Sequence, residues 1–159
     1  MTTDLNKDVI SVLNDLIVYS KDGQKGFKTS AEDVKDPQLK SFLTQREVEC
    51  GSAAAELQAQ VRALGGDPET STSVSGDLHR GWVDLKSMLT GKDEEAVLNE
   101  VERGEDHALK AYKEAREKLV KLGLGITDAS YVLVERQLGG VQKNHDLVKG
   151  LRDAARARS

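Results

Sequence analysis

The stretch Leu98-Asn-Glu-Val-Glu-Arg-Gly-Glu-Asp-His-Ala-Leu-Lys-Ala-Tyr112 decides the fold that the sequence predicts. From this stretch onward, apolar positions recur at steps of three and four, which is the spacing of a helix packed along one side. The stripe consists of Leu98, Val101, Glu105, Ala108, Tyr112, Ala115 and Leu119. Its middle position is a glutamate. Because a bare carboxylate is costly in a dry interior, we expect Glu105 to have a partner, a proton or a metal ion.

Helical spacing continues along the rest of the chain, and no alternating run of strand length interrupts it. Asp36-Pro37 marks a helix start, with an N-cap residue before a proline at the first helical position. The run from Leu64 to Pro68 contains two glycines and then the proline, and marks a helix stop. Thr127 is the N-cap candidate of the last helix. We expect helices at about residues 3–33, 37–64, 75–89, 93–122 and 127–155.

The connection over residues 65–92 determines how these helices are arranged. The second helix is about 40 Å long at a rise of about 1.5 Å per residue. A connection that returns along this whole length needs many residues, whereas a plain hairpin needs only a few. The sequence therefore predicts one all-α domain over residues 1–159. It is a four-helix bundle with one long crossover that contains a short extra helix.

Composition excludes several classes of function. The formal net charge of -4 argues against a general nucleic-acid binder, which needs a basic face. The only cysteine, Cys50, allows neither an internal disulfide nor a cysteine zinc cluster. Charged residues interrupt the apolar positions of residues 1–20, so this segment has the pattern of neither a signal peptide nor a membrane span. We expect a cytoplasmic protein with no nucleic-acid and no membrane partner.

Glu105 and His145 are the polar residues on the apolar stripes of the last two helices. Antiparallel helices joined by a short turn bring positions equidistant from that turn side by side. Glu105 lies 19 residues before Leu124 and His145 lies 21 residues after it, so the two should face each other near mid-bundle. Glu102 and Gln142 each lie one helical turn from one of these two residues.

A metal centre is one interpretation of these residues. Di-iron and di-manganese carboxylate bundles take a glutamate from each of two helices and a Glu-x-x-His pair from each of the other two. This sequence contains no Glu-x-x-His, and the position three before His145 is Gln142. A degenerate site for Fe, Mn or Zn would draw on the remaining candidate ligands: Glu105, His145, Glu102, Asp22 and Glu49.

A hydrogen-bonded network without a metal is the interpretation that the sequence favours. It would join Arg46, which falls on the stripe of the second helix, to Glu105, Gln142 and His145. A small bound ligand is a further alternative. His107 falls on nearly the opposite helix face from Glu105 and is expected at the surface.

Several short motifs occur together along the chain and indicate a family. They are Asn14-Asp-Leu-Ile17, Asp22-Gly23-x-x-Gly26-Phe27, Glu56-Leu-Gln58, Leu64-Gly-Gly66, His79-Arg-x-Trp82, Glu102-Arg-Gly-Glu-Asp106, Asn144-His145-Asp146 and Leu151-Arg-Asp153. In this order, over about residues 5–153, they resemble an uncharacterised bacterial family of ferritin-like four-helix bundles, catalogued as a domain of unknown function. The resemblance implies a ferritin-like bundle with no established activity.

The leading functional hypothesis is a non-enzymatic structural or interaction module that forms homo-oligomers and holds a polar network at mid-bundle. No complete metal set and no nucleophile–base–acid constellation can be assigned from the residues. The alternative is a degenerate carboxylate-bundle metal-binding protein. A third possibility is a partner-binding bundle in which residues 65–92 move to expose an apolar groove.

Overall fold

The computed structural model of the chain describes residues 3–34, 36–70 and 94–158. In these three ranges the chain is helical and contains no strand. The four helices are α1 (Asp4–Asp33), α2 (Pro37–Ala63), α3 (Glu94–Lys121) and α4 (Ala129–Arg158). None of them has the continuous apolar length that a membrane span requires. The short helix expected at 75–89, and with it most of the crossover, lies outside the described residues.

The ends of α2 follow the sequence signals. The carboxylate of Asp36 accepts a hydrogen bond from the Gln38 N–H at 3.0 Å, directly before the proline at the first helical position. At the other end, Gly65 adopts a φ of 85°, and the N–H of Gly66 donates to the carbonyl oxygen of Val61 at 3.0 Å. Such a reversal needs the left-handed region, in which glycine carries no penalty.

The start of α4 differs from the prediction. The N-cap is Asp128, whose carboxylate accepts from the Tyr131 N–H at 3.0 Å, and the expectation for Thr127 is wrong. The turn before the helix, in which the Asp128 N–H donates to the Gly125 carbonyl oxygen, brings the aspartate to the capping position. A carboxylate also interacts favourably with the positive end of the helix dipole.

The bundle consists of two apolar halves with a polar layer between them. α1 packs mainly against α2, α3 packs mainly against α4, and α2 makes few contacts with α4. One apolar half includes Leu13, Leu16, Ile17, Leu57, Leu119 and Val134. The other includes Phe27, Leu43, Leu98, Val101 and Val148. Between these clusters along the helices lie Ser20, Asp22, Arg46, Glu102 and Glu105, which are polar and buried.

Gly23 allows α1 and α2 to approach each other closely within this polar layer. A Cβ atom at position 23 would lie 3.1 Å from the Sγ atom of Cys50. That distance is tighter than an ordinary van der Waals contact. The neighbouring helix thus accounts for a glycine that costs roughly 1 kcal/mol in a helix interior relative to alanine.

The glycine at the end of α2 gives a test of this packing. In a Gly66→Ala variant, the new Cβ would lie 2.6 Å from Cδ1 of Ile10 and 3.1 Å from two further atoms of that side chain. Because the whole isoleucine must move, we expect the free energy of unfolding to fall by about 1–3 kcal/mol. The control is Gly125→Ala, since a Cβ there meets nothing within 4 Å. Urea denaturation measures both, and equal stabilities would contradict the close packing at Ile10.

Candidate functional site

The middle of the bundle holds an ion pair between Arg46 of α2 and Glu105 of α3. The Nε of Arg46 donates to Oε1 of Glu105 at 2.7 Å, and its Nη2 donates to Oε2 at 3.1 Å. The two side chains are 6% and 1% exposed. The guanidinium carbon lies 5.0 Å from the ring centroid of Phe27, in cation–π range. The buried glutamate of the α3 stripe is therefore neutralised by a guanidinium group.

The electrostatics of this pair keep Arg46 charged. Burial lowers the pKa of Arg46, but Glu105, Cys50 and Glu49 together raise it by more, so the pKa lies above its ordinary value. Burial also raises the pKa of the Cys50 thiol to about 11, although the positive charge of Arg46 acts in the opposite direction. At neutral pH Cys50 is therefore a neutral thiol and a poor nucleophile.

A second polar chain lies next to this pair. The Tyr112 hydroxyl donates to Oε1 of Gln137 at 2.8 Å, and the Ser20 hydroxyl lies 3.4 Å from it. Burial raises the pKa of Tyr112 to about 12, so the phenol is neutral. The Gln137 amide lies close to the Ala53 carbonyl oxygen on α2, at 3.3 Å. These contacts join α1, α2, α3 and α4 through neutral groups.

A cluster of potential metal ligands lies on the seam between α3 and α4. One ligand atom from each of Glu102, Asp106 and His145 lies within 4.8 Å of the other two. Glu102 and Asp106 are four residues apart on α3, which places them on one helix face. The Nε2 of His145 lies 2.5 Å from Oδ1 of Asp106, and its Nδ1 lies 3.3 Å from Oδ1 of Asp146. Both ring nitrogens of the imidazole therefore face carboxylates.

The cluster also contains competing interactions. Nη1 of Arg152 contacts Oε2 of Glu102. Burial lowers the pKa of His145, but its hydrogen bonds to Asp146 and Asp106 raise it by more, and the net shift is upward. The hydrogen bond from His145 lowers the pKa of Asp146. Without a metal ion, Arg152 supplies positive charge to this cluster, and the upward shift of the His145 pKa favours the charged form of the imidazole.

The structure separates residues that the sequence analysis had grouped into one network. Glu105 is bonded to Arg46, whereas His145 contacts Asp106 and Asp146. Gln142 also turns to Asp146, donating to its Oδ1 at 3.0 Å. The prediction that Glu105 and His145 share one centre is therefore corrected: each has its own partners. Neighbouring residues of a helix point about 100° apart, so Glu105 faces the centre while the next residue faces α4.

The two remaining candidate ligands lie elsewhere. Glu49 lies 3.9 Å from Nη1 of Arg46 and accepts a hydrogen bond from the Asn144 amide at 3.3 Å. Asp22 is buried on α1. Neither belongs to the Glu102–Asp106–His145 cluster.

Sequence reasoning missed Asp106 as a candidate ligand. It also missed Asp146, which contacts His145, and Arg152, which contacts Glu102. The available signal was the four-residue spacing of Glu102 and Asp106 on a helix that packs against the helix of His145. Asp106 lies directly beside Glu105 but falls off the apolar stripe, so the stripe pattern does not single it out.

Comparisons with known proteins give both a family and a fold. The profile of a family described as Domain of unknown function (DUF2383) matches residues 8–118. No curated protein is detectably similar to the chain in sequence. The bacterioferritin of Desulfovibrio desulfuricans superposes with a TM-score of 0.79 at 16% identity. Its structure was solved to describe the diiron site in different catalytic states. That match covers 97% of this chain and 83% of the bacterioferritin.

Two other solved structures are similar. A ferritin-like, diiron-carboxylate protein of Bacillus anthracis str. Ames has a TM-score of 0.72 at 18% identity, over 94% of this chain and 99% of that one. The DPS protein of Vibrio cholerae O1, described as a member of the ferritin-like diiron-carboxylate superfamily, has a TM-score of 0.73 at 12% identity, over 95% and 97%. At these identities the likeness concerns the fold, and it confirms the predicted ferritin-like four-helix bundle.

The residues at the bundle centre do not fit a di-iron carboxylate set. Such a centre takes carboxylates from four helices and two Glu-x-x-His pairs. Here both oxygens of Glu105 accept hydrogen bonds from Arg46, and the guanidinium already supplies the positive charge. The sequence has no Glu-x-x-His pair on any helix. We therefore assign no di-iron chemistry to this position.

Disrupting the central pair should be costly. Arg46→Met leaves Glu105 charged without its partner, and Glu105→Leu leaves Arg46 without its partner, so we expect each to lower the free energy of unfolding by about 3–5 kcal/mol. The double variant should recover most of that loss, because two apolar side chains strand no charge. Chemical denaturation of all three measures the coupling.

The exposed pair Arg116–Glu135, at 2.9 Å, provides the control. Both side chains are about one-third exposed, and Arg116→Met should cost less than about 1 kcal/mol. If Arg46→Met costs no more than this control, the central pair is solvated and does not stabilise the bundle.

The shifted pKa of His145 predicts a pH dependence of folding. The folded-state value lies above the unfolded value, about 6.5. The contribution of His145 is therefore fully present below that pH and is lost as the pH rises through the folded-state pKa. With a chelator present, we expect the urea midpoint of the wild type to fall as the pH rises through the folded-state pKa of His145. The midpoint of His145→Gln should lack this fall. His107→Gln should follow the wild type, and identical profiles for all three proteins would contradict the assignment.

Proposed function

The chain belongs to the DUF2383 family, and we propose that it is a ferritin-like bundle that binds one divalent transition-metal ion at Glu102, Asp106 and His145. The observation that supports this proposal is the convergence of three ligand atoms from α3 and α4 within 4.8 Å of one another. The proposed position is the helix seam, away from the Arg46–Glu105 pair.

The ligand chemistry favours this reading of the cluster. Two carboxylates and one imidazole form a mixed oxygen and nitrogen set, which suits Fe²⁺, Mn²⁺ or Zn²⁺. Asp146 faces Nδ1 of His145, so a proton held there would leave Nε2 for the metal. A carboxylate in this role fixes the tautomer and the orientation of a metal-binding histidine. Gln142 in turn donates to Asp146 and orients it.

Binding would change two existing interactions. Any proton on Nε2 of His145 would leave, because only the neutral imidazole binds a metal ion. Arg152, which contacts Glu102, would either release this carboxylate or stay beside the ion. In both cases its positive charge opposes the metal, so Arg152 sets how tightly the site binds.

The proposal predicts one bound ion per chain. Purified protein is stripped with a chelator, titrated separately with Fe²⁺ (without oxygen), Mn²⁺ and Zn²⁺, and followed by calorimetry and elemental analysis. We expect His145→Gln and Asp106→Asn each to weaken binding at least about tenfold, since even outer residues of metal sites contribute this much. His107→Gln, on the same helix as Asp106, is the matched control and should bind like the wild type.

Substitution of Arg152 tests the proposal by a gain of metal affinity instead of a loss. Arg152→Gln removes a positive charge beside Glu102, and we expect it to increase the affinity for the same ion. A general loss of structure cannot produce this gain. Wild-type protein that stays metal-free with all three ions, or a His107→Gln variant as impaired as His145→Gln, would reject the proposal.

A second candidate function is the non-enzymatic structural or interaction module, self-associating and cytoplasmic. It is favoured by the central ion pair, in which Arg46 and Glu105 satisfy each other and require no ligand. Leu147 and Leu151, one turn apart on α4, are 50% and 38% exposed and suit contact with another chain. Sedimentation equilibrium of wild type and Leu147→Ser tests it, and a monomer at every concentration would remove self-association.

A further inference from the structure

A cavity of about 360 Å³ lies at the middle of the bundle. All four helices line it, and its walls include both the buried Arg46–Glu105 pair and the exposed Gly140 on α4. It thus extends inward from the side where α2 and α4 make few contacts. Its volume falls in the range of small-molecule sites in proteins.

The mouth of the cavity is framed by contacts between α2 and α4. On one side Asn144 donates to Glu49, and on the other Arg136 pairs with Glu56. Gly140 lies on α4 between these two contacts and lines the cavity. A Cβ atom at position 140 would meet nothing within 4 Å. The absence of a side chain at this position therefore leaves the gap between the helices open.

Polar and apolar side chains both line the cavity, with charged groups at its floor and at its mouth. Aromatic and aliphatic side chains line much of it, among them Tyr19, Phe27, Tyr112, Ala108 and Val141. This composition, with a few convergent polar groups, is typical of sites for small organic molecules.

One nitrogen of Arg46 supplies a hydrogen-bond donor at the floor. Its Nε and Nη2 both bond to Glu105, and the Cys50 thiol, a weak acceptor, also lies within hydrogen-bond reach of the guanidinium group. Nη1 lies 3.9 Å from the Glu49 carboxylate. That distance is beyond a hydrogen bond. Because Glu105 balances the charge of the arginine and Glu49 adds a negative charge nearby, the floor favours a neutral oxygen acceptor over an anion.

We propose that this cavity binds a small uncharged molecule with a flat aromatic body and a carbonyl or hydroxyl oxygen, which accepts a hydrogen bond from Nη1 of Arg46. The aromatic body would lie against the apolar walls. The site is separate from the Glu102–Asp106–His145 cluster and does not depend on metal binding there.

The test uses Prodan, a neutral naphthalene with a carbonyl group whose fluorescence shifts to the blue in apolar surroundings. We expect saturable binding of one Prodan per wild-type chain. Gly140→Leu puts a side chain into the cavity mouth and should weaken binding at least about tenfold, which is about 1.4 kcal/mol. Gly139→Leu is the matched control, because its Cβ also meets nothing within 4 Å but the residue does not line the cavity.

A second probe tests the hydrogen bond at the floor. Dimethylaminonaphthalene has the same ring system without the carbonyl and should bind at least several-fold more weakly than Prodan. Circular dichroism and thermal unfolding verify that both leucine variants are folded. No saturable binding by the wild type, equal binding by the two leucine variants, or equal affinity for the two probes would overturn the proposal.

Discussion

The twofold hydrogen bond between Arg46 and Glu105 is the constraint on which the rest of the bundle depends. It joins one helix of each antiparallel pair at a level where both side chains are almost inaccessible to water. Apolar contacts alone tolerate a slip of one helix along another, because one leucine substitutes well for the next. A buried charged pair does not, since a slip would strand both charges. We infer that this pair fixes the register of α2 against α3.

The same pair determines where other chemistry can occur. In ferritin-like folds the middle of the bundle is the place where facing helices can direct ligands toward one point. In this chain a guanidinium group already neutralises the central carboxylate, and the remaining potential ligands converge one helix face away. The cluster at Asp106 and His145 and the cavity beside Arg46 are therefore two separate features, one polar and on the seam, the other largely apolar and central.

For the four helices that the structure describes, the sequence predicts the positions well because the signals are local. Periodicity, the Asp36 cap and the glycine stop give the helix ends to within a few residues, and the burial of Glu105 follows from its place on an apolar stripe. The partner of His145 is less accessible to such reasoning. It depends on how α3 and α4 are rotated about their own axes, since that decides whether Glu105 or Asp106, which point about 100° apart, faces α4. The opening at Gly140 depends on the distance between two helices, which a single sequence does not encode in any local pattern.

The division of the interior into two apolar halves has a dynamic consequence. Each half has its own set of leucines and valines, and the polar layer interrupts the apolar packing between them. Fraying that begins at the end near Phe27 and Leu98 can therefore stop at the ion pair and leave the end near Leu13 and Leu119 protected from exchange with solvent. In this respect the bundle resembles two short bundles placed end to end, and we expect one half to open locally while the other stays folded.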